Sequence, residues 1–314
     1  MELSMYPFFT DILKREGAAA AIDFAGSCGF SAVEILEGAR PGSRALFPSS
    51  EPAMILRQCL DRRGMRLACY SVSINILSDE LGEERNLSGV EVLKRCAENA
   101  CILGAPYLHH TLTIGYTPPH RGDIFPEILP KLLERAGEVA EFCDKLGLTV
   151  LYEPQGYYVN GSDGFPLFYD EMKQRGYNVG VCGDTGNPLY VDCDPVAFFE
   201  RYAADIKHVH IKDIRVEDDI LQRGNAAPSR RWDLSRGGTY LTDTYLGDGS
   251  VDLEACMEHL RRVGYAGAYS IETFYWNTLS VSLKENYKRD MDYIRTHFFE
   301  QGGQHGAWCH HFTQ

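Results

Sequence analysis

The chain has 314 residues, 44% of them apolar and 24% charged, enough for one large α/β domain of barrel type or two medium ones. Its 44 acidic against 31 basic side chains exclude a phosphate backbone as the main partner, because that binding needs a lysine and arginine surplus. No run reaches the ~20 apolar residues of a membrane span and Met1–Ser4 lacks a signal peptide's basic region, so a cytoplasmic protein is expected.

Short segments rich in β-branched and aromatic residues alternate with longer segments of helical period. The spacing predicts a strand over Leu3–Phe8, a helix over Asp11–Gly26 and a strand over Ala32–Leu36. A helix follows over Glu51–Arg63, with Met54, Leu56 and Leu60 on one side and Gly64 as its stop. Next come a strand over Leu67–Ile74, a helix over Val90–Leu103 closed by Gly104, and a strand over Tyr107–Ile114. The helix over Ile124–Leu146 is expected to break near Pro130 and to stop at Gly147. Then follow a strand over Leu148–Glu153, a helix over Gly164–Arg175, a strand over Val179–Gly183 and a helix opened by Asp194-Pro195. Strands over Ile206–Ile211 and Ala268–Glu272 flank a helix over Leu253–Val263, and a last helix covers Leu279–Phe298.

Eight strand–helix units in one run imply parallel pairing and a closed (β/α)8 TIM barrel over residues 1–300, rather than an open doubly wound sheet. No Gly-x-Gly-x-x-Gly or Walker loop follows any strand. Residues 215–250, polar and glycine-rich, form a long loop after strand seven, expected as a lid, substrate wall or subunit contact. Residues 301–314, with His305, His310 and His311, form a tail. The ten cysteines are scattered without Cys-x-x-Cys pairs and read as reduced, mostly buried small hydrophobes.

In a barrel, chemistry collects where the strands end. Strand five ends in Glu153, strand six in Asp184, strand seven carries His208 and His210, and strand eight ends in Glu272. Singly, each is an ordinary loop or core residue. Together, three carboxylates and an imidazole without an adjacent basic partner call for a cation. The donor set suits Mn²⁺ first, with Mg²⁺, Co²⁺ or Fe²⁺ as alternatives. His210, nearer the active rim, is the better ligand; His208, two residues back on the same face, belongs to a layer inside the barrel. Asp213 is a candidate to orient His210 or the following loop.

The segments Tyr152-Glu153-Pro154, Gly183-Asp184-Thr185-Gly186-Asn187, His208-Val209-His210-Ile211-Lys212-Asp213, Gly247–Asp252 and Ser270-Ile271-Glu272 carry a resemblance. The chain resembles the sugar phosphate isomerase/epimerase superfamily, the xylose isomerase-like barrels that include ketose 3-epimerases and inosose dehydratases. The resemblance implies that Glu153, Asp184, His210 and Glu272 bind one divalent metal, with Glu153 and Glu272 also serving as catalytic acid and base. Members often carry a histidine three residues after the strand-six aspartate, where this chain has Asn187.

That ligand set supports proton abstraction next to a carbonyl through an enediolate. A sugar isomerase or epimerase is the first reading. A lyase or dehydratase acting on an inosose or a 3-keto-sugar, including eliminative cleavage of a 3-keto-glycoside, is the second. An abasic-site endonuclease would need more rim histidines and a basic face. Substrate contacts are expected from His109 or His110, only one of which faces inward, and from Asn187, Gln155, Lys212, Arg215 and Trp276; Tyr6, Glu37 and Tyr70 are further rim candidates. The expected partners are a small carbohydrate and other subunits, as a homo-oligomer or a mixed assembly, with neither nucleic acid nor membrane.

Overall fold

A computed structural model describes residues 2–82, 87–113, 125–218, 231–275 and 280–299. Eight parallel strands close a barrel: β1 (Glu2–Met5), β2 (Ala32–Ala39), β3 (Arg66–Ile74), β4 (Tyr107–His110), β5 (Thr149–Tyr152), β6 (Val179–Asp184), β7 (Ile206–Ile211) and β11 (Ala268–Ile271). Sequence neighbours pair in turn, and β11 joins β7 to β1. The helices α1 (Phe8–Glu16), α2 (Ala18–Cys28), α3 (Ser50–Arg63), α4 (Gly89–Leu103), α5 (Phe125–Lys145), α6 (Gly161–Gln174), α7 (Pro195–Tyr202), α8 (Leu253–Arg262) and α9 (Leu283–Ile294) accompany them. This is the (β/α)8 barrel that the alternation predicts.

Local chemistry sets the helix ends. Ser88 with Glu91 and Ser282 with Glu285 form capping boxes at α4 and α9. Asp194 accepts from the Val196 amide before the Pro195 that opens α7. Gly104 closes α4 in the left-handed conformation that a side chain would disfavour. The core lies between barrel and helices. Phe165, Phe168, Phe199 and Tyr152 are fully buried there, each worth about 1.5–3 kcal/mol of burial if the aromatics behave like other large apolar side chains.

Several boundaries move. The first strand stops at Met5 because Tyr6-Pro7 turns the chain straight into α1. The single helix expected to Gly26 is two, split at Gly17, whose φ of 86° no helix accommodates. Pro130 lies inside a continuous α5 instead of breaking it. The described part of the long loop is not simply loop: β8 (Asp213–Glu217), β9 (Asp233–Leu234) and β10 (Tyr240–Thr244) form a three-stranded antiparallel sheet in the order β8-β10-β9.

That sheet is docked on the segments that follow β5 and β6. Asp192, in the 3₁₀ turn after β6, accepts from Ser235 Oγ at 2.6 Å and from the Gly237 amide at 2.7 Å. Arg236 pairs with Asp163 at 3.0 Å, at the start of α6. Among the described residues, no helix is long and apolar enough to cross a membrane. The nine cysteines among them are all free, five being buried.

Candidate active site

Parallel register is what assembles the site. Asp184 is paired with His210 across β6 and β7, and Ser270 with His210 across β11 and β7. Glu153 and Glu272 each stand one residue beyond a strand end, so both hang over the same rim. The Glu272 amide donates to Ile211 O at 2.9 Å, which ties that rim position to β7.

The four residues expected as ligands come together. One ligand atom from each of Glu153, Asp184, His210 and Glu272 lies within 4.8 Å of the others, and all four side chains are buried. His210 Nδ1 is 2.8 Å from Glu153 Oε1 and 3.1 Å from Glu272 Oε2. Asp184 Oδ1 accepts from the Gly186 and Asn187 amides at 2.8 and 2.6 Å, so a tight turn holds this carboxylate at the end of β6. Lys212 Nζ lies 2.9 Å from Asp184 Oδ2 and 3.2 Å from Glu272 Oε2. Its backbone is pinned through Thr185, which accepts from the Lys212 amide at 2.9 Å and donates to the Lys212 carbonyl at 2.6 Å.

Electrostatics follow from this crowding. Burial by itself would raise Glu153, but His210 holds it well below the usual carboxylate range. Burial likewise opposes Glu272, which Lys212 and His210 bring below its ordinary value. Asp184 goes the other way: burial, with Glu153 and Glu272 nearby, raises it well above its ordinary value despite Lys212. Burial would lower His210, yet Cys182 and the Glu34, Glu272 and Glu153 carboxylates raise it well above an ordinary imidazole. Because burial also pushes the Cys182 thiol up, that thiol stays neutral and the carboxylates carry the effect.

The residues present fit a divalent cation. His210 Nδ1 faces two carboxylate oxygens, a contact that either a proton or a cation between them must reconcile. Three carboxylates and one imidazole form an oxygen-rich donor set. Contrary to the expectation that the carboxylates lack a basic partner, the ammonium of Lys212, one residue beyond β7, lies against two of them and offsets part of their charge.

The other expected contacts divide. His109 faces the cluster, with Nε2 3.5 Å from Glu153 Oε2 and its ring edge-on to His210. His110 packs edge-on against Tyr152 with Nδ1 3.0 Å from Thr111 O, and burial lowers its pKa to about 4. Asn187 is fully buried, and neither end of its amide has a hydrogen-bond partner. Gln155 sits in a turn closed by its own amide to Val159 O. Arg215 lies on β8 and donates to Asp248 O, apart from the four-residue cluster. Trp276 and the tail histidines lie outside the described residues.

Tyr6 stacks on His210 with ring centroids 4.7 Å apart. Glu37 and Tyr70 bond to each other, with Cys96 of α4 on the same carboxylate. His208 lies inside the barrel. Asp213 orients the following loop rather than His210, accepting from the amides of Ile214, Gly247, Gly249 and Val251 at 2.9–3.1 Å.

The sequence reading missed Glu34. This residue of β2 is fully buried and touches both His208 and His210. Its signal was a lone carboxylate inside the apolar run Val33-Glu34-Ile35.

The family model for xylose isomerase-like TIM barrels matches residues 22–297, and the chain belongs to that family. Among curated proteins it is 31% identical to the rhizopine catabolism protein MocC of Rhizobium meliloti over 159 residues, 51% of this chain and 46% of that protein. It is 35% identical to the inosose dehydratase of Clostridium beijerinckii over 146 residues, 46% of each chain. The chain thus spans about half the length of the curated relatives it matches.

Among solved structures, an L-ribulose 3-epimerase aligns with a TM-score of 0.67 at 16% identity, over 94% of both chains. The IolI protein with a bound zinc atom aligns with a TM-score of 0.67 at 15% identity, over 95% of this chain and all of that one. At such identities these two share the fold.

Proposed function

We propose that the protein is a divalent-metal-dependent sugar isomerase or epimerase that removes a proton from the carbon next to a carbonyl, by way of an enediolate. The observation that carries this reading is the meeting of Glu153 and Glu272, from strands separated by β6 and β7, at the same imidazole nitrogen beside Asp184. Glu153, Asp184, His210 and Glu272 would hold the ion, with Mn²⁺ the first choice for so oxygen-rich a set. When bound, it would supply positive charge beside the carbonyl oxygen and so acidify the neighbouring C–H.

The remaining work belongs to side chains. Glu153 and Glu272 enter from different strands, so one takes a proton and the other returns one to a different side of the carbon. Lys212, fixed through Thr185, offers an ammonium to oxygen charge developing on the substrate. The unpaired Asn187 amide and the inward His109 suit substrate hydroxyls, since each buried polar group gains a missing partner. The docked β8-β10-β9 sheet serves as a fixed wall of the substrate pocket.

A second reading, elimination from an inosose or 3-keto-sugar, begins with the same proton abstraction. The 35% identity to an inosose dehydratase favours it, although the match covers only half of that enzyme. One experiment separates the two: ketoses, inososes and 3-keto-glycosides incubated in deuterium oxide with the Mn²⁺-loaded protein and followed by NMR. Deuterium at the carbon next to the carbonyl with an inverted or shifted carbonyl product supports the first reading, and an unsaturated product the second. Glu153→Gln and Glu272→Gln should each abolish exchange while remaining folded. Exchange surviving in both variants would remove these glutamates as bases.

A further inference from the structure

We propose that Glu34 is the positioning residue of this site: its buried carboxylate fixes which nitrogen of His210, and through Ser71 which nitrogen of His109, faces the pocket. The inference rests on the metal-assisted reading above and adds how the imidazoles are set for it.

The hydrogen-bond directions follow from what a carboxylate can do. An ionised carboxylate only accepts, so every group against it must donate. His210 Nε2 lies 2.9 Å from Glu34 Oε1 and His208 Nε2 lies 2.7 Å from Oε2. The Ser71 hydroxyl donates to Oε1 and the Ser270 hydroxyl to Oε2. Four donors from three strands, β3, β7 and β11, hold the group, so it has no free oxygen on which to swing.

Two consequences follow. The hydrogen of His210 sits on Nε2, and Nδ1 is the nitrogen turned toward Glu153 and Glu272. An imidazole that ligates a metal needs its lone pair on the metal side, and a carboxylate on its other nitrogen is the usual way to secure this. Tyr6, stacked on the ring, opposes a flip.

Ser71 gives its one hydrogen to Glu34, so toward His109 Nδ1, 2.9 Å away, it can only accept. His109 therefore carries its hydrogen on Nδ1 and presents a bare Nε2. That nitrogen is 3.5 Å from Glu153 Oε2, too far for a good hydrogen bond, and it has no other partner. It is set to accept a substrate hydroxyl. A carboxylate this deep carries a desolvation penalty that an apolar side chain would avoid, which argues for a role beyond packing.

The test uses Glu34→Gln, in which an amide NH₂ replaces one acceptor oxygen. Calorimetric titration of the metal-free protein with Mn²⁺ should show binding weakened about 10- to 100-fold relative to wild type. Long-range ¹H–¹⁵N spectra of the Zn²⁺-loaded wild type should show His210 with hydrogen on Nε2 and His109 with hydrogen on Nδ1, and the variant should lose both assignments. Ser71→Ala should disturb His109 while His210 keeps its tautomer, and this variant decides the matter should Glu34→Gln fail to fold. Wild-type affinity and tautomers in Glu34→Gln, or an unchanged His109 in Ser71→Ala, would overturn the proposal. A wild-type chain that takes up no divalent ion would overturn the metal-assisted reading instead, and this inference with it.

Discussion

Replacing Lys212 by methionine probes the charge balance of the site without touching a proposed ligand. The ammonium lies 2.9 Å from Asp184 Oδ2 and 3.2 Å from Glu272 Oε2. At an effective dielectric constant of ~20, the contact with the ionised Glu272 is worth about 5 kcal/mol of attraction, and Asp184, whose carboxyl is raised by its burial, adds less. Desolvation of the buried ammonium offsets much of that, and breaking such a buried arrangement typically costs about 3–5 kcal/mol. For a chain of this length that is a fall in Tm of about 5–8 °C, read by calorimetry on protein stripped with EDTA. Saturating Mn²⁺ should shrink the deficit, because a bound cation compensates the same carboxylates. A loss below about 1 kcal/mol, or a deficit that Mn²⁺ leaves unchanged, would refute both the charge accounting and the placement of a cation here.

Asp213→Asn keeps the shape but turns an NH₂ toward two of the four backbone amides that now donate to the carboxylate. Since Gly247 is exposed and can recruit water, the expected loss is about 2 kcal/mol, with faster hydrogen exchange at Gly247, Gly249 and Val251; an unchanged exchange pattern would remove Asp213 as the loop's anchor. Asp243, which accepts from the Tyr275 amide, tests pH dependence, because burial pushes its carboxyl up to about 7. The folded chain then keeps a proton that the unfolded chain, at about 4, has released. This stability is fully present below pH ~4 and is lost as pH rises through 7. Asparagine does not titrate, so between pH 5 and 8 wild type should lose about 2–3 kcal/mol relative to Asp243→Asn in urea unfolding; parallel pH profiles would contradict the assignment.

Much of this protein is legible in one dimension. Alternating apolar strands and amphipathic helices determine the barrel, because a parallel strand pair needs a crossover and eight crossovers close the sheet. The same rule places Glu153, Asp184, His210 and Glu272 at one rim, since strand ends in a barrel share an edge. Strand alternation also says that one of His109 and His110 faces inward, without saying which; the pairing of Ser71 with His109 across β3 and β4 decides it. Glu34 shows the limit most plainly. It sits in the middle of β2, 174 residues from His208, and only closure of the barrel brings the two within 2.7 Å. The long segment after strand seven is similar, for β8, β9 and β10 pair over distances at which composition carries no register. Residue type and spacing thus determined which groups reach the rim. The contacts that orient them are through-space hydrogen bonds between distant strands, and those exist only once the sheet has closed.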